Sequence, residues 1–133
     1  MNSVIISKAG GPEVLEYKEL KLEEPKADEV TIKNHAIGLN YIDTYHRSGL
    51  YPLNLPSPIG LEGAGEITKV GSDVKDFKVG DKVAYCAAPL GAYSTHRNYP
   101  TKNLVKVPDG VDLETAATLM TKGITTFYLL HKT

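Results

Sequence analysis

Residues 38–52, GLNYIDTYHRSGLYP, carry the side chains of this chain best suited to binding a small molecule. Tyr41, Tyr45 and Tyr51 offer aromatic faces and hydroxyl groups within one short segment, and a glycine-rich stretch, PIGLEGAG, follows at residues 58–65. Glycines allow tight turns and close approach of the backbone. The pattern predicts a site built on a short helix and two glycine-dependent turns, which works by hydrogen bonding and positioning.

Side chains that bind metals are few in this sequence and poorly spaced for the purpose. Cys86 is the single cysteine, which excludes a disulfide within the chain and a four-thiolate zinc site. His35, His46, His96 and His131 show no metal-ligand spacing with one another or with Cys86. We therefore expect no metal, and we expect these histidines to be surface or terminal residues.

Composition and charge restrict the class of protein. The chain has 133 residues, of which 41% are hydrophobic and 23% charged, as is usual for one soluble globular domain. Lys and Arg number 15 against 16 Asp and Glu, so the basic surface that nucleic acids require is missing. No signal peptide and no apolar run of membrane-spanning length is recognisable. We expect a cytoplasmic protein with neither nucleic acid nor membrane as a partner.

Short strands separated by glycine and proline turns dominate the first part of the chain. The alternation of apolar and polar residues is clearest at residues 30–36, which suggests one buried and one solvated face. Many short strands with frequent turns favour a barrel or sandwich. We predict strands at residues 4–6, 14–20, 30–36, 64–70, 82–87, 92–96 and 104–107.

The tail has the period of an amphipathic helix instead. Asp112 is suited to the N-cap, and Glu114 suits the positive end of the helix dipole. Gly123 predicts a break or a close backbone contact, because glycine weakens a helix interior by about 1 kcal/mol relative to alanine. The apolar stripe has no evident partner in the chain, which predicts self-association through residues 113–130. Its members are Leu113, Ala116, Ala117, Met120, Ile124, Phe127 and Tyr128.

Four motifs together resemble one known family. They are GGPEVL at residues 10–15, NYIDTY at 40–45, RSGLYP at 47–52 and KGIT at 122–125. The series resembles the zinc-independent quinone oxidoreductases, close to the zeta-crystallin-like reductases of the medium-chain dehydrogenase/reductase superfamily. The similarity extends over essentially all of the chain, with the motifs in family order.

The resemblance implies a mainly β, GroES-like, partly open β-barrel with a short site helix. It makes residues 1–110 the substrate-side catalytic domain and residues 111–133 the start of an interdomain helix. In the family that helix leads into a Rossmann domain, which binds NADPH. This sequence ends before any phosphate-cradling glycine loop, so we expect a truncated chain from which the Rossmann domain is absent.

The resemblance also predicts whether this chain binds zinc. Zinc-dependent relatives in the superfamily carry Gly-His-Glu where this chain has Gly60-Leu61-Glu62, and a cysteine near the start of the site helix, where it has Gly38-Leu39-Asn40. Leucine offers no lone pair, and a neutral amide is a poor zinc ligand beside thiolate or imidazole. The chain is therefore expected to resemble the branch that works without zinc.

The functional residues are those that the resemblance implies. The expected catalytic residues are Asn40, Tyr45 and Tyr51, which suit a flat quinone in an aromatic cleft with a few hydrogen-bond donors. The residues expected to contact NADPH are Asn40, Tyr41, Ile42, Asp43, Thr44, Tyr45, Thr125 and Tyr128.

Several of these residues also have simpler structural explanations. Asn40 is a good N-cap for a helix that begins at Tyr41, and capping and cofactor contact are compatible. Tyr41 and Tyr45 lie one helical turn apart, and we expect Tyr41 in the core and Tyr45 at the site. Asp43 is expected to be a solvated or capping carboxylate. Glu62 is expected to brace its glycine turn by accepting backbone N–H groups.

Two functional hypotheses follow, with a third on fold analogy alone. The first is the substrate-side domain of an NADPH-dependent quinone oxidoreductase, inactive as an isolated chain. The alternative is a non-catalytic remnant that forms a homodimer or binds another protein through the helix at residues 113–130. A GroES-like co-chaperonin is the third, and the chain shows no obvious counterpart of its mobile apolar loop.

Overall fold

Two antiparallel sheets form the framework of the computed structural model, which describes residues 1–132. The smaller sheet has three strands, β1 (Asn2–Ile6), β2 (Leu15–Glu19) and β4 (Ser57–Pro58), in the order β2-β1-β4. A 3-10 turn at Pro12–Val14 connects β1 to β2, in the register that pairs Asn2 with Glu19.

The larger sheet carries the main core. Its five strands run in the order β7-β3-β5-β6-β8, and all of their pairings are antiparallel. The long strands β3 and β5 lie at its centre, and their inward side chains are fully buried apolar residues such as Val30, Ile32 and Ile67. The strands are β3 (Glu29–Gly38), β5 (Glu62–Val70), β6 (Lys82–Tyr85), β7 (His96–Pro100) and β8 (Val105–Lys106).

The two sheets meet along residues 93–95. Ser94 forms an isolated antiparallel bridge to Ser3, and the N–H of Val4 donates to the carbonyl of Tyr93 at 2.8 Å. On the other side, the N–H of Asn34 donates to the carbonyl of Thr95 at 3.0 Å. The sheets are thus joined at one seam and do not close, which confirms the mainly β, partly open architecture expected from the sequence.

One predicted strand is displaced. The expected strand at residues 92–96 is wrong for all but its last residue, because residues 92–95 form the seam and the regular strand is β7. Pro100 ends β7, which is the edge strand next to β3. Proline is tolerated on an edge strand, where one N–H faces away from the ladder. The sequence pattern alone does not identify the edge.

The first helix, α1 (Tyr41–Ser48), is short and capped at both ends. Asn40 is its N-cap with an extended backbone, and the carboxylate of Asp43 accepts a hydrogen bond from the Asn40 N–H at 3.0 Å. Gly49 ends the helix at a φ of +83°, a conformation that favours glycine. The predicted short helix and the N-cap position of Asn40 are confirmed, and the Asn40 side chain hydrogen-bonds Glu62 and Lys122.

The second helix, α2 (Leu113–His131), begins where the sequence predicts and continues through Gly123. The Oδ1 of Asp112 accepts the N–H of Thr115 at 2.7 Å, as an N-cap should. The predicted break or close contact at Gly123 is wrong, because a Cβ there would meet only a side-chain atom of Leu119, at an ordinary 3.4 Å. Within residues 1–132, neither helix has the length and apolar character needed to cross a membrane.

Packing against the larger sheet anchors only the first half of α2. Ala116 and Ala117 are buried against β3, β5 and β6, together with Ala64 and Ala84. These small side chains let the helix lie close to the strands. The second half keeps large exposed apolar side chains, namely Ile124, Phe127, Tyr128 and Leu130.

Candidate functional site

A cleft of about 910 Å³ lies where the start of α1 and the start of β5 meet the middle of α2. Its wall is largely apolar, with a few polar groups placed among the apolar ones, as is common in small-molecule sites. Residues from the predicted segment 40–44 form one side of it. The lining comprises Leu39, Asn40, Tyr41, Ile42, Thr44, Leu61, Cys86, Thr121 and Lys122.

A fully buried carboxylate, that of Glu62, connects the elements around this cleft. Its Oε2 accepts a hydrogen bond from the Asn40 Nδ2 at 2.7 Å, and its Oε1 accepts the backbone N–H of Thr121 at 2.7 Å. Glu62 begins β5, Asn40 caps α1 and Thr121 lies inside α2. The prediction that Glu62 accepts backbone N–H groups of its own glycine turn is therefore wrong. Its carboxylate bonds the N-cap residue of α1 and a backbone N–H inside α2 instead.

Lys122 brings a positive charge to the same place. Its Nζ lies 3.8 Å from the Glu62 Oε2, 3.3 Å from the Asn40 Oδ1 and 3.4 Å from the Leu39 carbonyl oxygen. The side chain is 57% exposed and lines the cleft. In the sequence, Lys122 stands out only as the first residue of the KGIT motif at residues 122–125. What identifies Lys122 as a site residue is its ion pair with the buried carboxylate of Glu62. The two residues are 60 positions apart in the chain, so only the folded structure shows this pair.

Close packing at Gly38 holds α2 against this network. A Cβ built on Gly38 would overlap the backbone carbonyl oxygen of Ala117 and the carboxylate of Glu62. The end of β3 therefore requires a residue without a side chain. The absence of a Cβ lets α2 approach β3 and lets Glu62 reach the helix.

Asp43 is buried behind the cleft wall rather than solvated. Only 3% of it is exposed, and its Oδ2 accepts hydrogen bonds from the Asn40 N–H at 3.0 Å and from the Tyr93 hydroxyl at 2.7 Å. Burial, followed by the hydrogen bond and charge of Asp43, raises the pKa of the Tyr93 phenol well above its usual range. The predicted capping role of Asp43 is confirmed, whereas the expected solvation is wrong.

The tyrosines of segment 38–52 form a partly exposed aromatic surface. The rings of Tyr45 and Tyr51 meet edge to face at 5.5 Å between centroids, and those of Tyr41 and Tyr45 lie 6.5 Å apart. Tyr41 is 81% exposed, so its predicted position in the core is wrong. Tyr41 is the first residue of α1 and forms part of the cleft wall. Tyr45 and Tyr51 lie outside the cleft lining.

The two predicted cofactor residues on α2 lie on its less packed half. The hydroxyl of Thr125 donates to the carbonyl of Thr121 at 2.7 Å, and Tyr128 is exposed. Neither residue lines the cleft, although Thr125 lies one turn beyond Thr121, which does. The structure thus brings Asn40, Tyr41, Ile42 and Thr44 to one cavity and leaves the other predicted residues around it.

Cys86 faces the cleft as a neutral thiol. Burial, reinforced by the negative charge of Glu62, raises its pKa above the usual value. A thiol of this kind is a poor nucleophile and a poor metal ligand. Among residues 1–132 no three or more His, Cys, Asp or Glu side chains lie together in a way that could hold a metal ion.

The ends of the two helices are unsuited to phosphate groups. An anion binds best at a helix N-terminus that offers free N–H groups and no competing negative charge. Here the first turn of α1 holds Asp43, and the N-terminus of α2 holds Asp112 and Glu114. The apolar cleft wall fits the flat face of an aromatic or nicotinamide ring, whereas these helix ends do not fit a pyrophosphate.

Comparison with known proteins shows strong similarity over nearly the whole chain. It is 58% identical over 125 residues to a quinone oxidoreductase of Pseudomonas aeruginosa, covering 93% of this chain and 38% of that protein. The structure superposes with a TM-score of 0.95 on the quinone oxidoreductase of Pseudomonas syringae, at 54% identity, covering 98% of this chain and 41% of that one. The TM-score is 0.97 for the Escherichia coli quinone oxidoreductase complexed with NADPH, at 45% identity and with coverage of 99% and 41%.

These relatives are much longer than this chain, which spans about 40% of the length of each of them. The family model described as the alcohol dehydrogenase GroES-like domain matches residues 26–109, the region from β3 to the turn before α2. Since this match covers more than half of its residues, the chain belongs to the alcohol dehydrogenase GroES-like domain family.

Proposed function

We propose that this chain is the substrate-side domain of an NADPH-dependent quinone oxidoreductase that works without zinc. Residues 1–110 would form the substrate-side domain, and residues 111–133 would begin the interdomain helix. The observation that carries the proposal is the apolar cleft at Asn40, backed by the buried Glu62 and the Lys122 ammonium. The relatives named quinone oxidoreductase, one of them complexed with NADPH, support the same activity.

In this proposal, the cleft-wall residues of segment 40–44 have roles in binding NADPH. When bound, NADPH supplies the reducing equivalents from its nicotinamide ring. Tyr41, Ile42 and Thr44 would form the surface against which that ring lies, and Asn40 would hydrogen-bond at its edge. Thr125 and Tyr128 are proposed to contact it from α2. No metal ligand is needed in this proposal, because a neutral amide, Asn40, and an apolar side chain, Leu61, line the wall in the segments where the zinc-dependent branch carries ligands.

The tyrosines outside the cleft lining are proposed to bind the quinone. Tyr45 and Tyr51 present a corner of two aromatic rings beside Tyr41, a geometry that suits a flat ring. The Asn40 carboxamide is fixed by Glu62, so its orientation is set before substrate arrives. Asp43 acts as a positioning residue, because it holds the Asn40 backbone and the Tyr93 hydroxyl behind the wall.

The isolated chain is proposed to be inactive. Most of the affinity for NADPH comes from its phosphates, which the acidic helix ends of this chain do not accommodate. Calorimetric titration of NADPH into the 133-residue chain should show no saturable binding tighter than roughly 0.1 mM, about −5.5 kcal/mol. Tighter binding would mean that the domain holds the cofactor unaided, and quinone turnover by the chain alone would contradict the proposed inactivity.

A chimera tests the proposed activity directly. Residues 1–133 would replace the matching N-terminal part of the Pseudomonas aeruginosa relative, and NADPH-dependent quinone reduction would be assayed. We expect turnover by the chimera. Asn40→Ala in the chimera should lower kcat/KM by about tenfold or more, the cost of one charge-assisted or oriented hydrogen bond.

The matched control for that chimera is Asn103→Ala, which removes a side-chain amide that bonds the Ala88 carbonyl outside the cleft lining and should leave kcat/KM unchanged. A folded chimera that binds NADPH yet reduces no quinone would refute the proposed function. Equal effects of the two substitutions would refute the role of Asn40.

The second candidate function is that of a non-catalytic module that associates with a second copy or another protein. The observation that favours it is the exposed apolar half of α2, with Ile124, Phe127, Tyr128 and Leu130 all more than half exposed. Sedimentation should show a concentration-dependent dimer that Phe127→Glu weakens. A chain that stays strictly monomeric at high concentration would exclude self-association through this helix.

A further inference from the structure

We propose that the Lys122 ammonium binds the quinone oxygen on which negative charge develops during reduction. This inference rests on the proposed function and adds to it the group that recognises the substrate's oxygen. Lys122 is not among the site residues that the sequence motifs imply. Its assignment comes from the contacts of Nζ and from its place on the cleft wall.

The first argument is location. Of the residues that the structure describes around the 910 Å³ cleft, Lys122 is the one that carries a positive charge. It lies on α2 opposite the Asn40 end of α1, and 57% of its side chain is exposed. A cation on an otherwise apolar wall attracts electron-rich oxygen more strongly than the same cation in bulk water does.

The second argument is that the ammonium is held loosely. Glu62, its countercharge, already accepts two short hydrogen bonds of 2.7 Å from Asn40 and Thr121, and lies 3.8 Å from Nζ. The other two acceptors, the Asn40 Oδ1 and the Leu39 carbonyl, lie at 3.3 and 3.4 Å. Short ammonium–oxygen bonds measure about 2.7–2.9 Å. All three contacts of Nζ are longer than this, so an incoming oxygen can replace one of them and form a shorter bond.

The third argument is that the loose contacts still fix a direction. Three acceptors hold the ammonium beside Asn40, and Glu62 in turn fixes the Asn40 amide. Asn40 and Glu62 thus act as positioning residues for Lys122. Their arrangement leaves the ammonium ready at the cleft before substrate arrives, which removes part of the ordering cost of binding.

The fourth argument concerns the chemistry of the substrate. A quinone oxygen gains negative charge when the ring accepts electrons, whether they arrive singly or as a pair. A cation positioned at that oxygen binds the reduced, anionic form more tightly than the neutral quinone, and preferential binding of the charged form favours reduction. The inference holds for either electron count.

The test uses a stable aromatic oxyanion, para-nitrophenolate, with neutral para-nitroanisole as its matched probe. Both would be titrated into the 133-residue chain, with the lysine side-chain signals followed by NMR. We expect para-nitrophenolate to shift the Lys122 Hε and Nζ signals saturably and to bind about tenfold more weakly to Lys122→Met. Para-nitroanisole should bind both forms equally and weakly.

Two further variants complete the test. Lys102→Met changes an exposed lysine in the turn before β8 and should bind para-nitrophenolate like the original chain. Lys122→Arg keeps the charge and should recover most of the affinity. If Lys122→Met is unfolded, the shift of the Lys122 signals in the unchanged chain decides the matter.

The inference is overturned if para-nitrophenolate leaves the Lys122 signals unmoved, or if Lys122→Met and Lys102→Met bind it alike. Neither readout uses NADPH or turnover. A chimera without quinone reductase activity therefore refutes the proposed function alone, whereas loss of phenolate selectivity in an active chimera refutes only the role of Lys122.

Discussion

Replacing Glu62 with alanine is expected to lower the free energy of unfolding by about 3 kcal/mol. The substitution removes the acceptor of two short hydrogen bonds and leaves the Asn40 amide and the Lys122 ammonium without their buried partner. It also opens a cavity where three elements meet. Urea denaturation followed by circular dichroism measures the loss, as a lower midpoint at unchanged slope.

Two other variants locate the cause of that loss. Glu66→Ala removes an exposed carboxylate from the same strand, β5, and should change stability by no more than about 0.5 kcal/mol. Glu62→Gln keeps an acceptor oxygen but no charge, and should be intermediate. Equal stability of Glu62→Ala and Glu66→Ala would show that the buried carboxylate does not hold α2 to the sheet.

Gly38→Ala is expected to cost about 2 kcal/mol or more, although it adds a single methyl group. The new Cβ would overlap the backbone carbonyl of Ala117 and the Glu62 carboxylate. The first is backbone and the second is held by two hydrogen bonds of 2.7 Å, so neither yields easily and α2 must move away from β3. Thermal or urea denaturation gives the size of the effect. The NMR signals of Asn40 and Lys122 should shift as well, because both depend on the position of Glu62.

Gly123→Ala is the matched control, with the opposite sign expected. Gly123 lies inside α2 with room for a Cβ, so alanine should raise stability by up to about 1 kcal/mol through its better helix propensity. If the two glycine substitutions changed stability by similar amounts in the same direction, close approach at Gly38 would not be the feature that seats the helix.

Several features of this protein follow from short stretches of sequence. Asn40 predicts the start of α1, and Asp112 predicts the start of α2, because the residue types that favour an N-cap lie directly before the helix that they begin. Alternation at residues 30–36 predicts the central strand β3, because successive side chains in a strand face opposite sides. The motif at 40–45 places four residues at the cleft, since they share one helix turn.

The tertiary structure decides what depends on partners distant in the chain. Glu62 bonds Asn40, which lies 22 residues before it, and Thr121, which lies 59 residues after it. Local pattern cannot specify such pairs, because loops bring them together only when the sheets and α2 have packed. The same applies to the burial of Asp43 beneath Tyr93 and to the exposure of Tyr41, which local pattern assigns to the wrong environments.

Gly123 and Lys122 show this division most sharply, because they are neighbours on one helix. Local propensity predicts a break at Gly123, and packing of Ala116 and Ala117 on the sheet overrides it. Lys122 has no local signature at all, since a lysine on a helix is ordinarily a solvated side chain. Lys122 lies at the cleft because Glu62, at the start of β5, and Asn40, the N-cap of α1, both contact its ammonium. Only folding brings these three side chains together.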